Sequence, residues 1–308
     1  MKIIFMGTPE FSAVVLKRLL EAGHEICCVV TQPDRRRNRG KVTYSAVKEL
    51  ALEEGLEVLQ PERLSKSPEM VEHMRSLEPD VVIVVSFGQI LKQDVLDLPK
   101  LGCFNVHASL LPKFRGASPM QHAILSGEEK TGVTIMKMDA GLDTGDMIAK
   151  AETDVDHKTF HVLYDELAEL GADLLVRTLP SIEDGTCRFV PQDDEKSTYA
   201  GLLKKEDGKV DFSRKPEEIE RQIRAFDPWP GAYCIWRDAR LKLWSAECPD
   251  ETTDLPDGAV AGASAGGIDI ACSGRILRVT ELQMPGKKRL KAEDFLRGKQ
   301  FEKGELLK

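Results

Sequence analysis

The sequence predicts an α/β protein with a mainly parallel sheet, followed by a smaller β-barrel. A strand at 2–6, an amphipathic helix from Pro9 and a strand at 26–31 form a strand–helix–strand opening. The run Val81–Val85 is continuously apolar, which indicates a strand buried on both faces of a parallel sheet. Beyond residue 232, short apolar stretches separated by Gly-rich turns indicate a small barrel.

The intervening elements have recognisable start signals. Apolar residues recur at helical spacing in each predicted helix, and two helices begin at a Ser-Pro pair that caps the first turn. The predicted elements are helices around Val47 and from Pro68, Pro119 and Phe160, and strands at 57–59, 80–86, 103–107, 132–138 and 147–151.

The chain is predicted to contain two domains joined by a linker. Between about 190 and 214 the apolar periodicity disappears and charged residues dominate, which is typical of an interdomain connection. We therefore expect a first domain at 1–189, a linker at 190–207 and a C-terminal domain at 208–308. The predicted elements of the C-terminal domain are a helix at 216–224 and strands at 232–236, 240–246, 259–261, 268–271 and 276–282.

The strand at 103–107 carries the residues most suited to chemistry. Asn105 and His107 are two positions apart, so a strand directs both side chains to one face. An imidazole beside a carboxamide can polarise a carbonyl and move a proton near neutral pH. Asp143, in a Gly-bracketed loop, can bring a carboxylate back to the ring. A lone strand-end histidine is more often structural, and spacing alone does not decide between the two interpretations.

Composition restricts the classes of protein to consider. The 308 residues suffice for two domains, and 42% hydrophobic with 31% charged residues is ordinary for a globular chain. The seven cysteines show no CxxC spacing, so we expect free thiols in a reducing cytoplasm and no metal. No apolar stretch approaches the length of a membrane span. A net charge of -8 argues against indiscriminate coating of nucleic acid.

A basic segment nevertheless follows the second strand. Five basic side chains fall within the seven residues 35–41, and Pro33 and Gly40 interrupt regular structure there. A solvated surface loop explains this composition. So does a loop that contacts RNA phosphates, because phosphates respond to local charge within about 10 Å.

The motifs together resemble one family, the folate-dependent formyltransferases. The resemblance covers nearly the whole chain, and two of its motifs, with the basic segment, are similar to the branch that acts on methionyl-tRNA. The segments that carry it are Asn105-x-His107 with Ser109-Leu110-Leu111-Pro112 and Arg115-Gly116, Leu142-Asp143-Thr144-Gly145-Asp146, Met6-Gly7-Thr8-Pro9, Phe87-Gly88-Gln89-Ile90, Thr198-Tyr199-Ala200 and Ile223-Arg224-Ala225-Phe226-Asp227-Pro228-Trp229-Pro230.

The resemblance implies a fold and an activity. It implies a Rossmann-like formyltransferase domain, a C-terminal OB-like barrel, and transfer of a formyl group from 10-formyltetrahydrofolate to the α-amine of methionine on initiator tRNA. It implies that Asn105, His107 and Asp143 are catalytic and that no metal takes part. It also implies a folate site formed by Ser109, Leu110, Leu111, Pro112, Phe87, Gly88, Gln89 and Ile90, and tRNA contacts by Arg36, Arg37, Arg39, Lys41 and Lys205.

Two alternatives remain open at this point. A formyltransferase or hydrolase that acts on a small amine or on formyl-folate would need neither the basic segment nor the barrel. A non-catalytic RNA-binding protein could retain the scaffold, although an intact Asn105, His107 and Asp143 argues against it. We expect a cytoplasmic monomer with no membrane contact.

Overall fold

The structure, a computed structural model, describes residues 1–36 and 42–308 and divides into two units. The first unit is Met1–Pro119, Lys130–Asp154 and Tyr164–Ala200, and the second is Met120–Glu129, Val155–Leu163 and Gly201–Lys308. Residues 190–200, expected to open the linker, thus belong to the first unit. No helix within the described ranges is both long enough and apolar enough to cross a bilayer.

The first unit contains eleven described strands. They are β1 (Lys2–Gly7), β2 (Glu25–Val30), β3 (Arg35–Arg36), β4 (Val42–Thr43), β5 (Val58–Leu59), β6 (Val81–Val85), β7 (Gly102–His107), β8 (Arg115–Gly116), β9 (Lys130–Lys137), β10 (Met147–Asp154) and β11 (Tyr199–Ala200). The helices before residue 201 are α1 (Glu10–Glu21), α2 (Ala46–Glu53), α3 (Pro68–Ser76), α4 (Gln93–Leu96), α5 (Pro119–Leu125) and α6 (Phe160–Glu183); α5 lies mostly in the second unit, and α6 begins there.

Seven strands form one twisted sheet in the order β10-β9-β7-β6-β1-β2-β5. The five strands from β7 to β5 are parallel, and β9 and β10 extend the sheet as antiparallel strands. Every residue of β6 is buried, as its apolar run predicts. The prediction of a mainly parallel, Rossmann-like α/β fold is confirmed.

This topology determines where β7 presents its polar residues. β6 and β7 run parallel with Val84 opposite Asn105, so their carboxyl ends reach the same edge of the sheet. Open α/β sheets bind ligands at that edge. On the other side of β7, His107 lies opposite Thr134 of the antiparallel strand β9. The 138–146 connection from β9 to β10 therefore lies beside β7.

The second unit is a curled antiparallel sheet with helices packed on it. Its sheet has the order β12-β13-β16-β15-β14, with β17 paired to β16, and register shifts between β13 and β16 increase the local twist. The half-barrel is consistent with the expected OB-like domain. Its elements are α7 (Pro216–Ala225), β12 (Tyr233–Trp236), β13 (Ala239–Glu247), β14 (Val260–Ser264), β15 (Gly267–Cys272), β16 (Arg275–Gln283), β17 (Leu290–Lys291) and α8 (Ala292–Leu296).

Candidate active site

Asn105, His107 and Asp143 meet at one point of the first unit. Asn105 is 9% exposed and His107 is 5% exposed, on the same face of β7. Asn105 Nδ2 donates to Asp143 Oδ1 at 3.3 Å, and His107 Nδ1 lies 3.7 Å from Asp143 Oδ2. The 138–146 loop thus places its carboxylate between the amide and the imidazole, 36 residues after the histidine.

The imidazole of His107 is anchored through one nitrogen. Its Nε2 lies 3.0 Å from the carbonyl oxygen of Phe114, and a carbonyl oxygen can only accept, so Nε2 carries a hydrogen. The anchor comes from a turn in which Phe114 has a φ of 62°. Chemistry at this ring therefore falls to Nδ1, which faces Asp143 and is too far from it for a hydrogen bond.

Asp143 is held by backbone as well as by Asn105. The amide of Gly116 donates to Asp143 Oδ2 at 2.8 Å, so each carboxylate oxygen accepts one hydrogen bond from the site. Asp143 itself has a φ of 55°, which is unusual for a residue other than glycine. The loop must therefore be secured by contacts outside Asp143.

Two features within the loop supply part of that support. Asp139 Oδ1 accepts from the amide of Gly141 at 3.0 Å and from the hydroxyl of Thr144 at 2.7 Å, which closes an Asx-type turn. A Cβ on Gly145 would lie 1.8 Å from the carbonyl oxygen of Lys137. Only glycine allows the loop to pass so close to the end of β9.

Gln192 and Arg115 provide the remaining support. Gln192 Nε2 donates to the carbonyl oxygens of Asp143 and Gly145, both at 2.8 Å. Arg115 Nε donates to Gln192 Oε1 at 3.0 Å, and Arg115 Nη2 donates to Asp194 at 2.7 Å. Burial works to lower the pKa of Arg115, but hydrogen bonds to Asp194 and Tyr199 outweigh it and raise the pKa.

Residue-by-residue reading of the sequence missed Gln192, and it assigned no role to Arg115 or to the Phe114 carbonyl. The Arg115-Gly116 pair was visible as a motif, but its role depends on pairing between the two-residue strands β8 and β11. Gln192 lies in a polar stretch whose composition is that of a linker. No local signal distinguishes such a glutamine from a solvated one.

The first segment expected to bind folate is largely engaged within the protein. Ser109 and Leu111 are fully buried, and Thr134 Oγ1 bridges them by donating to the Ser109 carbonyl and accepting from the Leu111 amide. Leu110 and Pro112 are partly exposed. Contacts to a ligand from this segment therefore fall to Leu110 and Pro112.

The second expected folate segment leaves β6 through a bend, with positive φ at Ser86 and Gly88. The Phe87 ring is buried in the core and its carbonyl accepts from Gln32, while the Gln89 amide binds the backbone of Leu64 and Pro61. Gly88 is exposed, and Ile90 is 75% exposed. These last two positions have surface available for a ligand.

A cavity of about 440 Å³ adjoins the loop that carries Asp143. Cys103, Met138 and Ala140 contribute to its wall. Cys103 precedes Asn105 and His107 by two and four residues, so the three side chains share a face of β7. The volume is within the range of small-molecule sites. The cavity therefore lies along the same face of β7, beside the start of the Asp143 loop.

The structure describes only some of the positions expected to contact tRNA. Arg37, Arg39 and Lys41 lie outside the described residues, and Arg36 belongs to β3. Lys205 begins a 3-10 turn, Lys205–Gly208, and is exposed on the second unit.

The cysteines offer no nucleophile to this site. All seven are free, and burial raises the pKa of Cys103 to about 12, so its sulfur stays a thiol near neutral pH. Among the described residues, no group of three His, Cys, Asp or Glu side chains could hold a metal ion.

Comparison with known proteins gives concordant matches. The family model described as "Formyl transferase" matches residues 1–179, and "Formyl transferase, C-terminal domain" matches residues 202–300. A protein of Lachnospira eligens named methionyl-tRNA formyltransferase is 46% identical in an alignment of 314 residues that covers 100% of this chain and 99% of that protein. A protein of Clostridioides difficile with the same name is 43% identical over 309 residues and 100% of both chains.

Solved structures with lower identity share the fold. The sugar 3N-formyl transferase WlaRD matches with a TM-score of 0.69 and 21% identity, over 94% of this chain and 99% of that chain. HypX from Aquifex aeolicus, in complex with tetrahydrofolic acid, matches with a TM-score of 0.62 and 19% identity, over 100% of this chain and 50% of that chain.

Proposed function

This chain belongs to the formyl transferase family, and we propose that it is an enzyme that formylates methionyl-initiator tRNA with 10-formyltetrahydrofolate. The product, formylmethionyl-tRNA, serves translation initiation. The observation that carries the proposal is the meeting of Asn105, His107 and Asp143 in a chain that matches methionyl-tRNA formyltransferases over its full length.

The reaction balances without an intermediate bound to the enzyme. The α-amine of methionine attacks the formyl carbon, a new C–N bond forms, and the formyl oxygen becomes negative. The bond from that carbon to N10 of the folate then breaks. The amine nitrogen loses a proton and N10 gains one, so the products are the formamide and tetrahydrofolate.

Asn105 and His107 stabilise the negative oxygen. An amide nitrogen carries two hydrogens, and Asp143 accepts one of those on Asn105 Nδ2, so the other can donate to the substrate. Nδ1 of His107 is the second donor when the ring is protonated on both nitrogens, because the hydrogen on Nε2 is already donated to Phe114. Donors that are already in position when charge develops lower the barrier most effectively.

Asp143 organises the donors and accepts the proton of the amine. Its carboxylate contacts Asn105 directly and faces Nδ1 of His107, so it orients both groups. The same carboxylate can take the proton from the attacking nitrogen, directly or through water. Gly116 holds Oδ2 in place while this occurs.

The formyl donor binds along the face of β7. The cavity beside Cys103 and Met138 adjoins the Asp143 loop and has the volume for part of a folate. Gly88, Ile90, Leu110 and Pro112 have exposed surface for the rest of the donor.

The tRNA contacts come from the basic segment and the C-terminal part of the chain. Arg36, Arg37, Arg39 and Lys41 contact phosphates of the acceptor end, and Lys205 adds a contact. Residues 1–189 carry the chemical groups, 190–207 connect the domains and contribute Gln192 to the support of the Asp143 loop, and 208–308 bind tRNA. The enzyme works as a monomer in the cytoplasm, where free cysteines persist.

A formylation assay tests the proposal. The purified chain is incubated with 10-formyltetrahydrofolate and methionyl-initiator tRNA, and formylmethionine is measured after tRNA hydrolysis. We expect multiple turnovers that require tRNA, and none with free methionine. Formyl-folate hydrolysis without tRNA, or tRNA binding without turnover, would instead support one of the two alternatives and overturn the proposal.

A further inference from the structure

We propose that Gln192 is a positioning residue for formyl transfer, which acts by holding the backbone of the Asp143 loop. The inference rests on the proposed function of this site. The hydrogen bonds of Gln192 go to Asp143, Gly145 and Arg115, so its effect on catalysis passes through Asp143 and Gly145. Its contribution should therefore appear in catalysis rather than in substrate binding.

The orientation of the Gln192 amide follows from its partners. Oε1 must be the acceptor, since it faces Nε of Arg115 at 3.0 Å, and a guanidinium only donates. Nε2 then faces two carbonyl oxygens, those of Asp143 and Gly145, at 2.8 Å. Both amide hydrogens are used, so an apolar or acidic side chain of the same length loses both bonds.

The loop requires this support because its backbone is strained. A φ of 55° costs a residue other than glycine on the order of 1 kcal/mol, although aspartate tolerates it better than most. The bond from Gln192 to the Asp143 carbonyl acts on the strained residue itself, and the bond to Gly145 acts two residues later. Together they fix the direction of the carboxylate.

Arg115 links the glutamine to the other half of the site. Its side chain is 2% exposed, and it joins Gln192 and Asp194 on one side of the turn at 114–116. The backbone of that turn supplies the carbonyl that anchors His107 and the amide that holds Asp143. The buried guanidinium of Arg115 therefore fixes the position of the Asp143 loop, which it reaches through Gln192, relative to the 114–116 turn that anchors His107.

Two variants of equal length test the proposal. Gln192→Met removes the donors and the acceptor, and Gln192→Glu keeps an acceptor for Arg115 but removes both donors. We expect kcat to fall about 10- to 100-fold in each, because small displacements of catalytic groups have effects of this size. KM for both substrates should stay within about twofold. Glu53→Met, at an exposed position on α2, is the control and should leave kcat unchanged.

A double-mutant cycle with Asp143→Asn shows whether Gln192 works through the carboxylate. Once Asp143→Asn has removed the charge, adding Gln192→Met should reduce kcat by less than about threefold further. If the double variant loses as much kcat as the product of the two single losses, the proposal is overturned. A normal kcat in both Gln192 variants, or a rise in KM without a fall in kcat, would overturn it as well. If Gln192→Met does not fold, the cycle is run with Gln192→Glu. An inactive wild-type chain would refute the proposed function instead.

Discussion

Asn105→Ala is the most direct test of the oxyanion role. In the wild type, the Asn105 amide donates to Asp143 at 3.3 Å, and in the proposed mechanism its second hydrogen is donated to the formyl oxygen. The variant loses this donor and leaves Asp143 with the amide of Gly116. Removal of one oxyanion donor lowers kcat by about 10²- to 10³-fold, or about 2.7–4 kcal/mol. Single-turnover formylation at saturating donor and tRNA measures the effect.

The control must separate lost chemistry from lost stability. Gln222 offers this separation, because it is also a buried carboxamide, 4% exposed, whose Nε2 donates to the carbonyls of Asp207 and Lys209. Gln222→Leu removes the donor to those two partly buried carbonyls and should cost about 1 kcal/mol of unfolding free energy. Its folded fraction should keep the wild-type kcat. If Asn105→Ala stays within threefold of wild-type kcat, the oxyanion assignment is wrong.

Three further changes probe the cavity, the loop and the base of the basic segment. Ala140→Tyr, at the cavity wall, should raise KM for the formyl donor about tenfold with little change in kcat, as measured by steady-state kinetics. Gly145→Ala should reduce kcat by about 10²-fold because its Cβ meets a carbonyl oxygen, whereas Gly298→Ala, with open space around it, should be silent in the same assay. Lys48 donates a hydrogen bond to Asp34 and lowers the pKa of this carboxyl group in the folded protein. The ionised carboxylate therefore stabilises the fold at pH values above its unfolded pKa of about 3.9, and this stabilisation is lost as the pH falls through the lower pKa of the folded state. Asp34→Asn should therefore cost about 0.5 kcal/mol in urea titrations at pH 7 and nothing near pH 2; an equal cost at both pH values would refute the electrostatic explanation.

Periodicity was sufficient to predict the part of the site that lies on one strand. Asn105 and His107 share a face because the strand alternates, and this follows from sequence spacing alone. The buried strand β6 and the two antiparallel strands at the sheet edge follow from similar patterns. The meeting of Asp143 with these residues was foreseeable because glycines on either side allow its loop to turn back.

The support around the cluster could not be predicted in this way. Strands β8 and β11 have two residues each, so their pairing depends on the surrounding tertiary structure and leaves no periodic signal. Gln192 lies in a stretch with linker-like composition, although it contacts residues 47 and 49 positions before it in the chain. Likewise, the choice of Nε2 as the anchored nitrogen of His107 depends on the backbone conformation of Phe114.

The large separation between Arg115 and Gln192, 77 positions, has a consequence for synthesis on the ribosome. A nascent chain that ends at residue 189 already contains every strand of the seven-stranded sheet and all three members of the catalytic cluster. It lacks the glutamine that steadies the Asp143 loop and the strand that pairs with residues 115–116. Translation must therefore proceed at least through residue 200 before the emerging enzyme can acquire its full catalytic rate.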